Sequence, residues 1–275
     1  MCIRKAPPPG QALTALLRLL SRNGIIIKAA LLALALIAWA WLLFRLHAPM
    51  AKMPDMAMAG MAMDGTAMGV DPWSSAYLTA AFAMWSIMMV AMMLPSAAPM
   101  ILLHARIDRS ESESARLLHS LLFITAYLAV WTGFSAIAVM AQALLLDTGF
   151  LSAATLAPNH RAAASMMLLL AAGYELTPAK HRCLENCQSP LIFIHRYWKG
   201  GAAGAFGIGL RHGLYCVGCC WALMLLLFAG GVMNIAWIAP LAVLAAIQKT
   251  APPQWRIHQW TAAFLLLLAA WLIIL

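Results

Sequence analysis

The sequence predicts an all-α integral membrane protein, a bundle of about seven transmembrane helices. Three observations predict it. Of the 275 residues, 64% are hydrophobic and 10% are charged, whereas a soluble domain carries roughly 25% charged residues. The apolar residues fall in blocks near the roughly 20 residues that cross a bilayer. Those blocks are continuous and lack the period-2 alternation of a membrane barrel.

Seven blocks stand out, at about 24–46, 74–94, 117–146, 161–176, 206–230, 233–248 and 257–275. The first is too long for a signal-peptide core of roughly 7–15 residues and contains Trp39 and Trp41, so it reads as an uncleaved anchor. The third is long enough to tilt. The fourth and sixth are short, and their ends are poorly marked. Residues 1–23 read as a cytoplasmic arm, 24–46 as the first transmembrane helix, 47–72 as a periplasmic loop, and 73–275 as a polytopic metal-binding domain.

The formal net charge of +9 invites a nucleic-acid partner, but the placement of the charges argues against one. With the N-terminus in the cytoplasm, every Lys and Arg lies inside except Arg45, Lys52 and Arg161. This is the positive-inside pattern. It places the C-terminus in the periplasm and makes the chain a multi-pass protein of the bacterial inner membrane, with the lipid bilayer as its partner and no nucleic acid.

The loop "HAPMAKMPDMAMAGMAMDGTAMGVDP" contains Met50, Met53, Met56, Met58, Met61, Met63 and Met68. Core filling does not account for methionine in a Gly- and Pro-interrupted loop, and compositional drift is the bland alternative. Capture of a soft metal fits better, because thioethers prefer Cu(I). His47 and Asp55 stand beside it.

The second block carries Met84, Met88 and Met92 four residues apart, flanked by Met89 and Met93. Residues four apart share a helix face. The stripe reads as core packing or as a metal ladder with equal weight. Pro95 and Pro99 are expected to break or kink this helix at its inner end. The inside loop "HARIDRSESESAR" shows no chemistry, and Tyr127 and Trp131 of the third block supply no evident ligand.

The fourth block ends in "YELTPAKHRCLENCQSP". Pro178 suits the first turn of a helix, on which Cys183 and Cys187 face one way, with His181 nearby. A cytoplasmic position argues against a stable disulfide. A C-x3-C pair alone is a weak signal.

The fifth block is the strong one. In "GGAAGAFGIGLRHGLYCVGCCWALM", His212, Cys216 and Cys220 follow at i, i+4 and i+8, with Cys219 beside them. Gly201, Gly204, Gly207, Gly209 and Gly213 are expected to let helices approach closely. At 1.5 Å per residue, Cys216 and Cys220 stand roughly 8 and 14 Å above the inner edge, and Met92 and Met88 roughly 3 and 9 Å. The methionines and cysteines therefore overlap in depth, and Tyr174, Glu175, Gln248 and Lys249 arrive at the same boundary. Thiolate with thioether favours Cu(I), while thiolate with imidazole also suits Zn(II).

The segments "SIMMVAMMLPSAAPM", "YELTPAKHRCLENCQSP" and "LRHGLYCVGCCWALMLLLFAGGVMN" together resemble a bacterial family of predicted metal-binding integral membrane proteins, defined by a domain of unknown function, over about residues 74–250. The resemblance implies an inner-membrane metal binder. It marks Cys183, Cys187, His212, Cys216, Cys219, Cys220 and Met88–Met93 as the residues concerned. Two positions depart from that family's pattern: Glu175 stands where a glutamine is usual, and Gln248 where a glutamate is usual. Glu175 is expected to compensate across the inner boundary and, with Tyr174, to stand behind the ligands.

The reading is a copper-handling protein, not an enzyme. It binds Cu(I) for transport, delivery to a cuproprotein or homeostasis, and has a copper donor or acceptor as protein partner. No G-x4-G-K-[ST] run points to ATP-driven pumping. Two other readings stand: a membrane thiol-disulfide oxidoreductase using C-x2-C chemistry, and a structural membrane subunit with a Zn site.

Overall fold

The computed structural model describes residues 22–47 and 71–274, apart from 109 and 111, and over them the chain is helical. The arm 1–21 and the expectations placed on Met50, Met53, Met56, Met58, Met61, Met63 and Met68 lie outside the described residues.

The elements are α1 (Arg22–His47), α2 (Ser75–Ile107), α3 (Glu113–Asp147), α4 (Arg161–Glu175), α5 (Pro178–Gln188), α6 (Pro190–Tyr197), α7 (Gly201–Ala229), α8 (Ile235–Thr250) and α9 (Ile257–Ile274). A 3-10 turn at Pro253–Trp255 joins the last two. Starts follow local capping chemistry: Ser74, Ser112, Thr177 and Asn234 each accept a backbone N–H of the turn they precede. Pro178 opens α5 directly after its Thr177 cap.

Among the described residues, five helical segments are long and apolar enough to cross a membrane: Ile26–Phe44, Ser75–Ile107, Glu113–Asp147, Gly201–Ala229 and Pro253–Ile274. Of the two short blocks, α4 has 15 residues and α8 has 16, below the roughly 20 needed for a full crossing.

Of the break or kink expected at Pro95 and Pro99, the break does not occur: α2 runs through both prolines to Ile107. A proline has no N–H for the carbonyl four residues earlier. For Pro95 that carbonyl belongs to Ala91, and the Trp39 indole of α1 donates to it at 3.1 Å. A neighbouring helix thus takes up the bond that the proline releases.

The bundle is centred on the pairing of α3 with α7, the most extensive in the molecule; α2 packs on α3, α4 pairs with α9, and α5 lies along α7. Two glycines make the central pairing close. A Cβ at Gly209 would run into the Phe123 backbone, and one at Gly213 would stand 2.9 Å from Val130 Cβ. The wider glycine expectation is narrowed: Gly201 and Gly207 face open space, and Gly204 abuts its own chain at Lys199.

Candidate metal centre

Three helices bring five sulfurs together in the core. From α7 come Cys216, Cys219 and Cys220, each 1% exposed. From α5 comes Cys187, whose Sγ lies 3.9 Å from Cys219 Sγ. From α2 comes Met93, whose Sδ lies 3.9 Å from Cys220 Sγ. The described cysteines are all free thiols. The spacing suits a shared soft metal: two sulfurs each about 2.3 Å from one ion in trigonal geometry lie about 4 Å apart.

Local geometry explains the packing of the α7 thiols. Cys219 and Cys220 donate their S–H to the Cys216 carbonyl at 3.1 and 2.9 Å, one turn back along the helix. These bonds hold both side chains over the Cys216 turn. Cys216 Sγ lies 3.1 Å from the Tyr127 hydroxyl and 3.1 Å from Lys249 Nζ. The Tyr127 hydroxyl also donates to the Met93 carbonyl at 3.1 Å, which ties α3 to α2 beside the sulfurs. In this arrangement each thiol of the cluster has a backbone or side-chain partner. Among the described residues no three of His, Cys, Asp or Glu are gathered in the form of a metal cage.

The expected ligands divide. Met84, Met88, Met89 and Met92 are buried core residues, and Met93 is the methionine whose sulfur meets a cysteine. The 84–88–92 stripe lies ~100° round the helix from Met93. Cys183 is half-buried and faces α7, with its Sγ 2.8 Å from where a Gly218 Cβ would stand. Burial pushes the Cys183 thiol up, and the Lys180 charge draws it part of the way back. Cys183 and Cys187 therefore share the α7-facing side of α5, as their spacing predicts.

His212 is 4% exposed and stacks on Tyr127, with ring centroids 5.5 Å apart. Phe123 and Phe193 pack round it at 6.0 and 5.7 Å. Its Nδ1 has no hydrogen-bond partner. It is held one turn below Cys216 with an uncommitted nitrogen, adjacent to the sulfurs rather than hydrogen-bonded to them.

Tyr174 and Glu175 do not reach the sulfurs directly. Tyr174 donates its hydroxyl to the Gly218 carbonyl. Glu175 enters a separate buried network, in which Lys180 Nζ donates to Glu175 Oε1 at 2.7 Å and to Gln248 Oε1 at 2.8 Å. Gln248 Nε2 donates to Glu175 Oε2 at 3.1 Å and to Thr261 Oγ1 at 3.0 Å. The two residues that depart from the resembled pattern are thus direct partners, and the network holds one carboxylate for its one lysine.

The sequence brings Lys249 to the same boundary without making it a partner of the sulfurs, and it reads Tyr127 as supplying no ligand. A lysine closing an apolar run reads as a topology signal, and a span tyrosine reads as packing. Only the meeting of α2, α3, α7 and α8 gives them a role.

Residues 82–272 match the family model PpoB2, described as copper chaperone. No curated protein and no solved structure matches the chain.

Proposed function

The chain belongs to the PpoB2 family of copper chaperones, and from that premise we propose that it is a membrane-embedded Cu(I) chaperone of the bacterial inner membrane. Met93, Cys187, Cys216, Cys219 and Cys220 hold the ion. The Met-rich segment 47–72 collects it on the periplasmic side, and Cys183 with Cys187 passes it at the cytoplasmic face. His212 stands by as an alternative donor, and a soluble copper donor or acceptor protein is the partner. The N-terminus is cytoplasmic, and the seven apolar blocks cross or enter the bilayer.

The observation that carries this reading is the five-sulfur cluster. An apolar core gains nothing from gathering four thiols and a thioether within contact of one another. Cu(I) takes thiolate and thioether together. Structural zinc sites are built from Cys, His and carboxylate, so the Met93 thioether favours copper over the zinc reading. Burial speaks against the thiol-oxidoreductase reading. Its nucleophile must be a partly exposed thiolate, and Cys187, at 8%, is the most exposed of the four cluster cysteines.

The test is Cu(I) titration of the purified protein against a competing chelator. The triple variant C216S/C219S/C220S is expected to lose high-affinity binding. Unchanged stoichiometry and affinity in that variant would sink the proposal.

A further inference from the structure

Lys249 is a feature of the sulfur cluster that copper binding does not require. Its side chain comes from the inner end of α8 and is 5% exposed. An ammonium has three N–H donors, and here all three are used. Nζ lies 3.1 Å from Cys216 Sγ, 3.2 Å from Met93 Sδ and 3.2 Å from Ser96 Oγ. The Trp131 ring faces the same group at 6.0 Å. Two of the three acceptors are sulfurs of the proposed copper site. A buried cation with no carboxylate partner among the described residues is costly unless its donors are satisfied, and the sulfurs with Ser96 satisfy it.

An ion held by Cys216 and Met93 would meet a second cation, the Lys249 ammonium, 3.1 and 3.2 Å from the same two sulfurs. Cu(I) and the Lys249 ammonium therefore compete there through charge repulsion in a low-dielectric core. We propose that Lys249 is a built-in competitor cation, which occupies the site when copper is absent and reoccupies it as copper leaves. The inference rests on the copper reading above and deepens it. Binding breaks the two N–H···S bonds, forms Cu–S bonds as the ligating cysteines release their S–H protons to the aqueous phase, and moves the ammonium off the two sulfurs. Release reverses the exchange. The device weakens copper binding by design, because a chaperone that holds its cargo too tightly cannot hand it on. It also supplies a positive charge to replace the one that departs.

The test compares wild type with Lys249→Leu, which adds no soft donor, and Lys249→Arg by Cu(I) competition against a chelator and by stopped-flow transfer to that chelator. The leucine variant is expected to bind Cu(I) about tenfold more tightly or better, with slower transfer; the arginine variant stays near wild type. Weaker binding by the leucine variant would overturn the proposal, because Lys249 would then be a group that assists ligation. So would equal binding with equal transfer rates.

A second measurement needs no variant. Peptide mapping of wild type after treatment with an amine-reactive acylating reagent is expected to find Lys249 modified only after Cu(I) loading. Equal modification with and without copper would overturn the displacement. Wild type that takes up no Cu(I) at all removes the copper premise itself, an outcome distinct from either of these.

Discussion

At the scale of single residues, the methionines show how register separates a ligand from packing. Met84, Met88 and Met92 form the more regular stripe, yet Met93 carries its sulfur to Cys220 and receives a Lys249 N–H. Met93→Leu keeps the volume and the apolar character and removes one soft donor. It is expected to weaken Cu(I) binding about tenfold, or ~1.4 kcal/mol, in a chelator competition. Met88→Leu, on the other face, is expected to leave the affinity as it is. Equal losses in the two variants would show that the whole ladder ligates. The sequence could mark the methionines but not choose among them, because five of them in ten residues cover more than one helix face. Cysteine was more legible. Three thiols within five positions of an apolar helix can hardly avoid one another, and a C-x3-C pair on α5 needs only one shared face to reach them.

At the scale of elements, the ends of α4 and α8 matter most. Glu175 closes α4, Gln248 lies near the end of α8, and Lys180 from α5 bridges them. The Lys180–Glu175 pair has no side-chain exposure at either partner. Breaking a buried pair by removing one charge costs about 3–5 kcal/mol. Glu175→Gln is therefore expected to lower thermal stability in detergent sharply. The exchange Glu175→Gln with Gln248→Glu returns a carboxylate to Lys180 from the other side and is expected to recover most of the loss. A double variant no more stable than the single one would contradict this pairing. The helices themselves were legible because apolar block length is a strong signal. The continuation of α2 past Pro95 was not. It depends on the Trp39 indole reaching Ala91 from another helix, and no local rule reports a donor 52 residues away.

At the scale of the whole molecule, the architecture converges on one level. Long helices α2, α3 and α7 pass through that level, the short α8 ends beside it, and α5 lies along α7 to close it. Depth arithmetic on the sequence made the α2 methionines and the α7 cysteines overlap, but in a different register: it set Cys220 roughly 14 Å and Met92 roughly 3 Å above the inner edge, whereas Met93 is the methionine that meets Cys220. What arithmetic could not supply was the side-chain environment: the Tyr127 link between α2 and the cluster, the aromatic packing round His212, and the ammonium of Lys249. Each arises from helices far apart in the chain. The central claim is that copper is held by the sulfurs of this cluster. X-ray absorption spectroscopy at the copper edge, on wild-type protein loaded with one equivalent of Cu(I), tests it most directly. The account predicts Cu(I) in a shell made of sulfur; a shell dominated by nitrogen or oxygen donors would contradict it.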